Sequence, residues 1–226
     1  MTTVAQVRQV VQPLLQHNPD LALVGRMIVV KPVHHFLRGV FIDRSLDPDL
    51  FVLMRTIMIL FEPQKSIGFS WGGPIYAPGR VWKTSDSNLA ATMREAIEND
   101  ALPLLRPIMT IDDFVNFTSK ERFPHEHLDL YDLTKTFVDI ARGDLAAARS
   151  ICEYLSTDRA QRRYLPDMQR EYVAATKELC PLVAANNRAG LAQLLHSFEA
   201  ESVKNLKLEK LWESTPFPIE VESPEA

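Results

Sequence analysis

Four short clusters hold the side chains best suited to chemistry. His125-Glu126-His127, with Asp129 and Asp132 close behind, groups imidazole and carboxylate, which are ligands for zinc or iron. His-x-His places both rings on one face only in a strand. Here it precedes a helical pattern, where residues i and i+2 point apart, and His-Glu-x-x-His is absent. The cluster therefore reads as polar residues at a helix start, with acid favoured there by the helix dipole. No metal is expected, and His125 and His127 are the candidates if one binds.

His34-His35 lies in a strand pattern, so one ring should face in and one out. Trp71-Gly72-Gly73-Pro74-Ile75-Tyr76, followed by Gly79-Arg80-Val81-Trp82, is the most unusual segment. Glycines let a backbone approach a ligand closely, and tryptophan with arginine is a common recognition pair. The alternative is a wide hairpin loop whose tryptophans cover a sheet edge. Trp71, Gly72, Gly73, Tyr76, Arg80 and Trp82, with His34 and His35, form the candidate binding set. Trp71 is expected in the core and Trp82 at partial exposure.

Arg159, Arg162, Arg163 and Arg170, with Tyr164 and Tyr172, form a local basic stretch. Acidic neighbours Asp158, Asp167 and Glu171 favour an exposed, paired helix face over a nucleic-acid surface. Neither Gly-x-Gly-x-x-Gly nor Gly-x-x-x-x-Gly-Lys-Ser/Thr occurs, so no cofactor is expected. Cys152 and Cys180 sit among helical apolar residues and read as buried free thiols, which suits a reducing cytosol.

The elements that must position these residues follow from a change of hydrophobic period near residue 85. Before it, apolar residues come in β-branched runs: Leu21–Val30, Val33–Asp43 with Gly39 as a bulge or close-approach point, and Leu50–Glu62. A fourth strand is expected at Ile67–Trp71 and a short one at Arg80–Lys83. A helix over Thr3–His17 precedes them, with Pro13 threatening its last turn. After residue 85 nearly every apolar residue has helical spacing. Ser85, Asp86 or Ser87 should cap a helix running toward Leu105, and Thr110-Ile-Asp-Asp resembles a capping box. Helical hairpins then turn at Gly143-Asp144 and Asn186-Asn187, 43 residues apart, a spacing that invites comparison with helical repeats. Phe217 and Ile219 are placed to strap the C-terminal segment down.

The expected class is α+β: an antiparallel sheet of four or five strands with packing helices in residues 1–122, then a helical-hairpin region in 123–226. That second region either stands alone or packs as one unit with the first. The 226 residues carry a formal net charge of −4, which makes no electrostatic case for nucleic acid. The first region is +1 and the second −5. The longest apolar stretch, Leu50–Phe61, has Arg55 inside it and falls short of the ~20 residues that span a membrane. With no apolar h-region at the N-terminus, the chain reads as cytoplasmic.

The run from the Trp-Gly segment through Gly79-Arg80-Val81-Trp82, Asp100-Ala-Leu-Pro and Thr110-Ile-Asp-Asp-Phe resembles a group of bacterial proteins of unknown function. Some of these look like small α+β proteins of the immunity-protein kind. The resemblance implies a binding role and carries over no functional residue. The function expected is a non-catalytic protein-binding or adaptor role. One alternative is an enzyme with a small-molecule pocket near Trp71–Trp82 and His34 or His35, and another is a weak nucleic-acid binder.

Overall fold

A computed structural model describes residues 3–69, 71–76, 79, 81–120, 130–157 and 167–221. The chain divides into two compact units. Unit 1 comprises Met1–Ile59, Ile67–Thr118 and Lys207–Glu213. Unit 2 comprises Leu60–Ser66, Ser119–Leu206 and Ser214–Ala226.

Unit 1 is an antiparallel sheet with helices. It opens with α1 (Val4–His17), where Thr3 and Gln6 close a capping box and Val7, Val11 and Leu14 are buried. Pro13 does not end the helix. It lies on the exposed face of the helix. The run Leu21–Val30, expected as one strand, is a hairpin of β1 (Leu21–Val24) and β2 (Met27–Val30). Gly25, at φ +60°, supplies the first corner of the two-residue turn, the position where a II′ turn calls for glycine.

The sheet continues through β3 (Phe36–Arg44), β4 (Leu50–Ile59) and β5 (Gly73–Ile75), in the order β1-β2-β3-β4-β5. A sixth strand, β6 (Trp82–Lys83), pairs with β4. Gly39 is a point of close approach: a Cβ there would run into the Ile28 carbonyl on β2. The first half of β4 alternates buried and exposed residues, while Thr56–Ile59 are all buried, as in a strand covered on both faces.

The strand expected at Ile67–Trp71 does not form. Trp71 instead gives its carbonyl to the Ile57 amide at 3.3 Å, and the next strand, β5, begins at Gly73. The helix after residue 85 starts at Leu89 (α2, Leu89–Ala96) with Asn88 as its cap residue. Ser85 is diverted to Asp49, which accepts from the Ser85 amide, the Ser85 hydroxyl and the Thr84 hydroxyl at 2.6–2.8 Å. A π turn at Ile97–Ala101 joins α2 to α3 (Leu102–Leu105). The Thr110–Asp113 capping box forms at both ends, at 2.8 and 3.1 Å, and opens α4 (Ile111–Lys120).

Unit 2 is helical: α5 (Leu130–Arg142), α6 (Leu145–Leu155), α7 (Asp167–Ala184), α8 (Arg188–Asn205) and a short α9 (Pro218–Val221). The two expected turns share one geometry. Gly143 (φ +85°) and Asn186 (φ +50°) stop the incoming helices. Asp144 and Asn187 then cap the next ones, accepting from the amides three residues on. Cys152 and Cys180 form a disulfide between α6 and α7, with Cα atoms 5.3 Å apart. That corrects the free-thiol expectation and removes the thiol argument for a reducing cytosol, since such bridges persist mainly in oxidising compartments. No helix among the described residues is long and apolar enough to cross a membrane.

Candidate functional site

The Trp-Gly segment is built from β4 outward. The Trp71 ring is 7% exposed and meets Phe114 edge-on, with centroids 5.4 Å apart. Trp82 is 4% exposed, stacks on Phe51 and donates its Nε1–H to the Ile75 carbonyl at 2.7 Å. The expectation that Trp82 would be partly exposed is therefore corrected: its indole closes the core beneath β5 and β6, and its one polar atom is satisfied by backbone. Gly72 is needed for packing against β4, because a Cβ there would strike the Arg55 carbonyl. Gly73 lies in β5 opposite Arg55.

The two tryptophans do not line one site. Trp71 bonds at Ile57 and Trp82 pairs with Phe51, positions that lie about 20 Å apart along a strand. His35 is buried, and His34 is half-buried with its Nε2 3.7 Å from a Glu213 carboxylate oxygen. The segment Lys207–Glu213 is anchored there, since the Glu213 amide donates to the Val33 carbonyl at 2.9 Å. Arg80, His125 and His127 lie outside the described residues, as do Arg159, Arg162, Arg163 and Tyr164. Among the described residues no group of three His, Cys, Asp or Glu is placed to hold a metal.

The segment does leave one surface open. Tyr76 follows β5 and is 64% exposed; Val81 precedes β6 and is 48% exposed. Ile75 pairs with Leu53 and Trp82 with Phe51, the two neighbours of Val52, so Tyr76 and Val81 lie at the strand ends beside it. Val52 is itself 41% exposed, because Leu53 and Phe51 face inward on either side. Met54, half-buried, continues this face between Phe41 on β3 and Pro74 on β5. Charges of both signs, Asp43, Arg44 and Lys83, are exposed beside it. Sequence reading named Tyr76 but missed Val52 and Val81. The alternation around Val52, hidden inside an apolar run, was the signal available.

Unit 2 holds a second polar cluster that hydropathy did not show. Glu62 is buried, and burial pushes its carboxyl up to about 8 against the pull of the Thr134 and Tyr172 hydroxyls. Gln64 bridges it to Tyr172, donating to Glu62 Oε2 at 3.3 Å and to the Tyr172 hydroxyl at 2.9 Å. Among the described residues Glu62 Oε1 has no hydrogen-bond partner. Ser202 fixes the backbone here, donating to the Glu62 carbonyl and accepting from the Gln64 amide. Burial also pushes the Tyr172 phenol upward. At neutral pH both groups are uncharged, and they act as a staple between Leu60–Ser66 and the helices.

Comparison with known protein families, characterised proteins and solved structures finds no match.

Proposed function

We propose that the protein is a non-catalytic binding protein that engages a protein partner through the Val52–Tyr76–Val81 face of unit 1. The observation that carries this reading is an aromatic and two β-branched side chains exposed where β5 ends and β6 begins beside Val52 of β4. An apolar centre with a rim of mixed charge is the usual anatomy of a protein–protein contact. Tyrosine is a favoured anchor there because it combines apolar area with a hydroxyl.

The surrounding chemistry agrees. Asp49 and Asp113 hold backbone amides and Glu62 is bonded by Gln64, so among the described residues these three acids serve structure. The formal charge of −4 favours no polyanionic partner. A cytoplasmic setting is no longer supported by the cysteines, and the partner's compartment follows from where the disulfide is stable.

The test pairs wild type with a Tyr76→Ala, Val81→Asp double variant of the full chain in side-by-side affinity capture. A partner held by wild type and lost by the variant, with both chains melting alike, supports the proposal. A partner held equally by both removes this face from consideration.

A further inference from the structure

The open face of unit 1 carries a charge pattern as well as an apolar strip. Side chains alternate between the two faces of a strand, so Leu50, Val52 and Met54 of β4 share one face. Val52 is exposed, and Leu50 and Met54 are half-buried. Phe41, half-buried on β3, and Pro74, exposed on β5, flank Met54. The intervening residues Phe51 and Leu53 are buried in the core.

Two opposite charges bracket this strip. Asp43 pairs with Val52 from β3, and Lys83 pairs with Leu50 from β6. Paired residues point to the same face, so both belong to the open face, one on each side of β4, and both are exposed. Arg44 pairs with the buried Phe51 and so lies on the opposite face. Among the described residues neither Asp43 nor Lys83 has a salt-bridge partner. Asp43 accepts only from the neighbouring Arg44 amide, at 2.8 Å. Opposite charges on adjoining segments are bonded elsewhere. Arg26 donates its Nε–H to the Ile42 carbonyl at 2.7 Å, and Asp49 accepts from Thr84 and Ser85.

An apolar strip with a negative charge on one side and a positive charge on the other is complementary to itself. A two-fold axis lying along β4 beside Val52 sets strip on strip with the strands aligned, as packed sheets commonly are. It exchanges left for right, and so carries Asp43 of one copy to the Lys83 side of the other. The two positions are offset by two residues, about 7 Å along the strand, a span that the four-carbon lysine stem covers. A two-fold contact is isologous, so the pair is made twice.

We propose that this face pairs with a second copy of the chain, in a two-fold dimer closed by reciprocal Asp43–Lys83 contacts. The proposal rests on the reading of the same face as a protein-binding surface and names the partner. Any other protein must bring an apolar strip with the charges reversed, and this chain already carries one.

Sedimentation equilibrium of the purified full chain tests this, with Asp43→Lys, Lys83→Asp and their equimolar mixture alongside wild type. Each variant alone sets like charges together at both contacts, and the mixture restores opposite charges at both. Wild type is expected to associate to twice the mass of one chain. Each variant should weaken that association at least about tenfold, and the mixture should recover to within about threefold of wild type, because like charges facing across an interface are penalised. A wild type that stays at the mass of one chain up to its highest soluble concentration overturns the proposal. So does a dimer that both variants keep, or one that the mixture fails to recover. If wild type stays monomeric while a photocrosslinker at position 76 captures a protein of another mass, this proposal fails and the binding reading stands. Should either variant lose its circular dichroism, Val52→Asp replaces the set: loss of the dimer supports the proposal and an unchanged dimer overturns it.

Discussion

Arg38 in unit 1 and Glu62 in unit 2 are both buried ionisable side chains, and the two are accommodated in opposite ways. Unit 1 buries Arg38, only 2% exposed. Its guanidinium donates to the Pro32 carbonyl at 2.6 Å, the Arg106 carbonyl at 3.3 Å and Met109 Sδ at 2.8 Å. Desolvation lowers its pKa, with Asp113 and Asp20 opposing, but an arginine keeps its charge in proteins. Unit 2 buries Glu62 with one oxygen unpartnered among the described residues, and the carboxyl sheds its charge by keeping a proton. A side chain that cannot discharge must be surrounded by acceptors. One that can discharge tolerates an incomplete shell and leaves its unit sensitive to pH.

The largest effect expected on this contrast is from Arg38→Ala. It strips the part-buried Pro32 and Arg106 carbonyls of their donor, at up to about 1–3 kcal/mol each, and removes the packing of the buried stem. All three tryptophans, Trp71, Trp82 and Trp212, belong to unit 1, so tryptophan fluorescence in a denaturant titration reads this loss. The loss should be the same at pH 5 and pH 8. A loss that grew with pH would break the contrast.

Trp82→Ala comes next, at about 3–5 kcal/mol for a buried aromatic, on the same fluorescence transition. It should leave the pH response of the helical unit untouched. Survival of wild-type stability would place the indole outside the core.

Glu62→Gln is a smaller but more diagnostic change. The folded carboxyl is raised from 4.5 to about 8. Its contribution is therefore fully present below pH 4.5 and is lost as pH rises through 8. The slope approaches about 1.4 kcal/mol per unit where the two states differ by a whole proton. Glutamine mimics the protonated form, so the variant should match wild type near pH 5 and exceed it at pH 8.5 by circular dichroism of the helices. Parallel pH curves for the two chains would show that Glu62 is not the titrating group.

Much of this fold could be read from residue order, and the parts that could not have physical causes. The Thr110–Asp113 box and the Gly143-Asp144 and Asn186-Asn187 turns were readable because caps and turns are local. The β1–β2 hairpin was not, because Gly25-Arg26 interrupts an apolar run without the usual Asn-Gly signal. The Cys152–Cys180 bridge depends on how α6 and α7 come together, which spacing along the chain does not fix. Glu62 read as the end of a strand, and only the approach of Tyr172, Thr134 and Gln64 reveals a buried acid. In the Trp-Gly segment Trp71 is in the core as its place after an apolar run implied, whereas Trp82, expected at partial exposure, is also buried, and Tyr76 and Val81 beside Ile75 and Trp82 meet solvent.

Tyr76→Ala should have the smallest effect on stability, within about 0.5 kcal/mol for an exposed position, while weakening partner capture. The most direct measurement of the binding claim is photocrosslinking from a benzophenone side chain placed at position 76, with Leu104, another exposed apolar residue at 41%, as the control site. The account predicts an adduct of one discrete mass from position 76 and none from position 104. An adduct from position 104 alone, or equal yields from both, would contradict it.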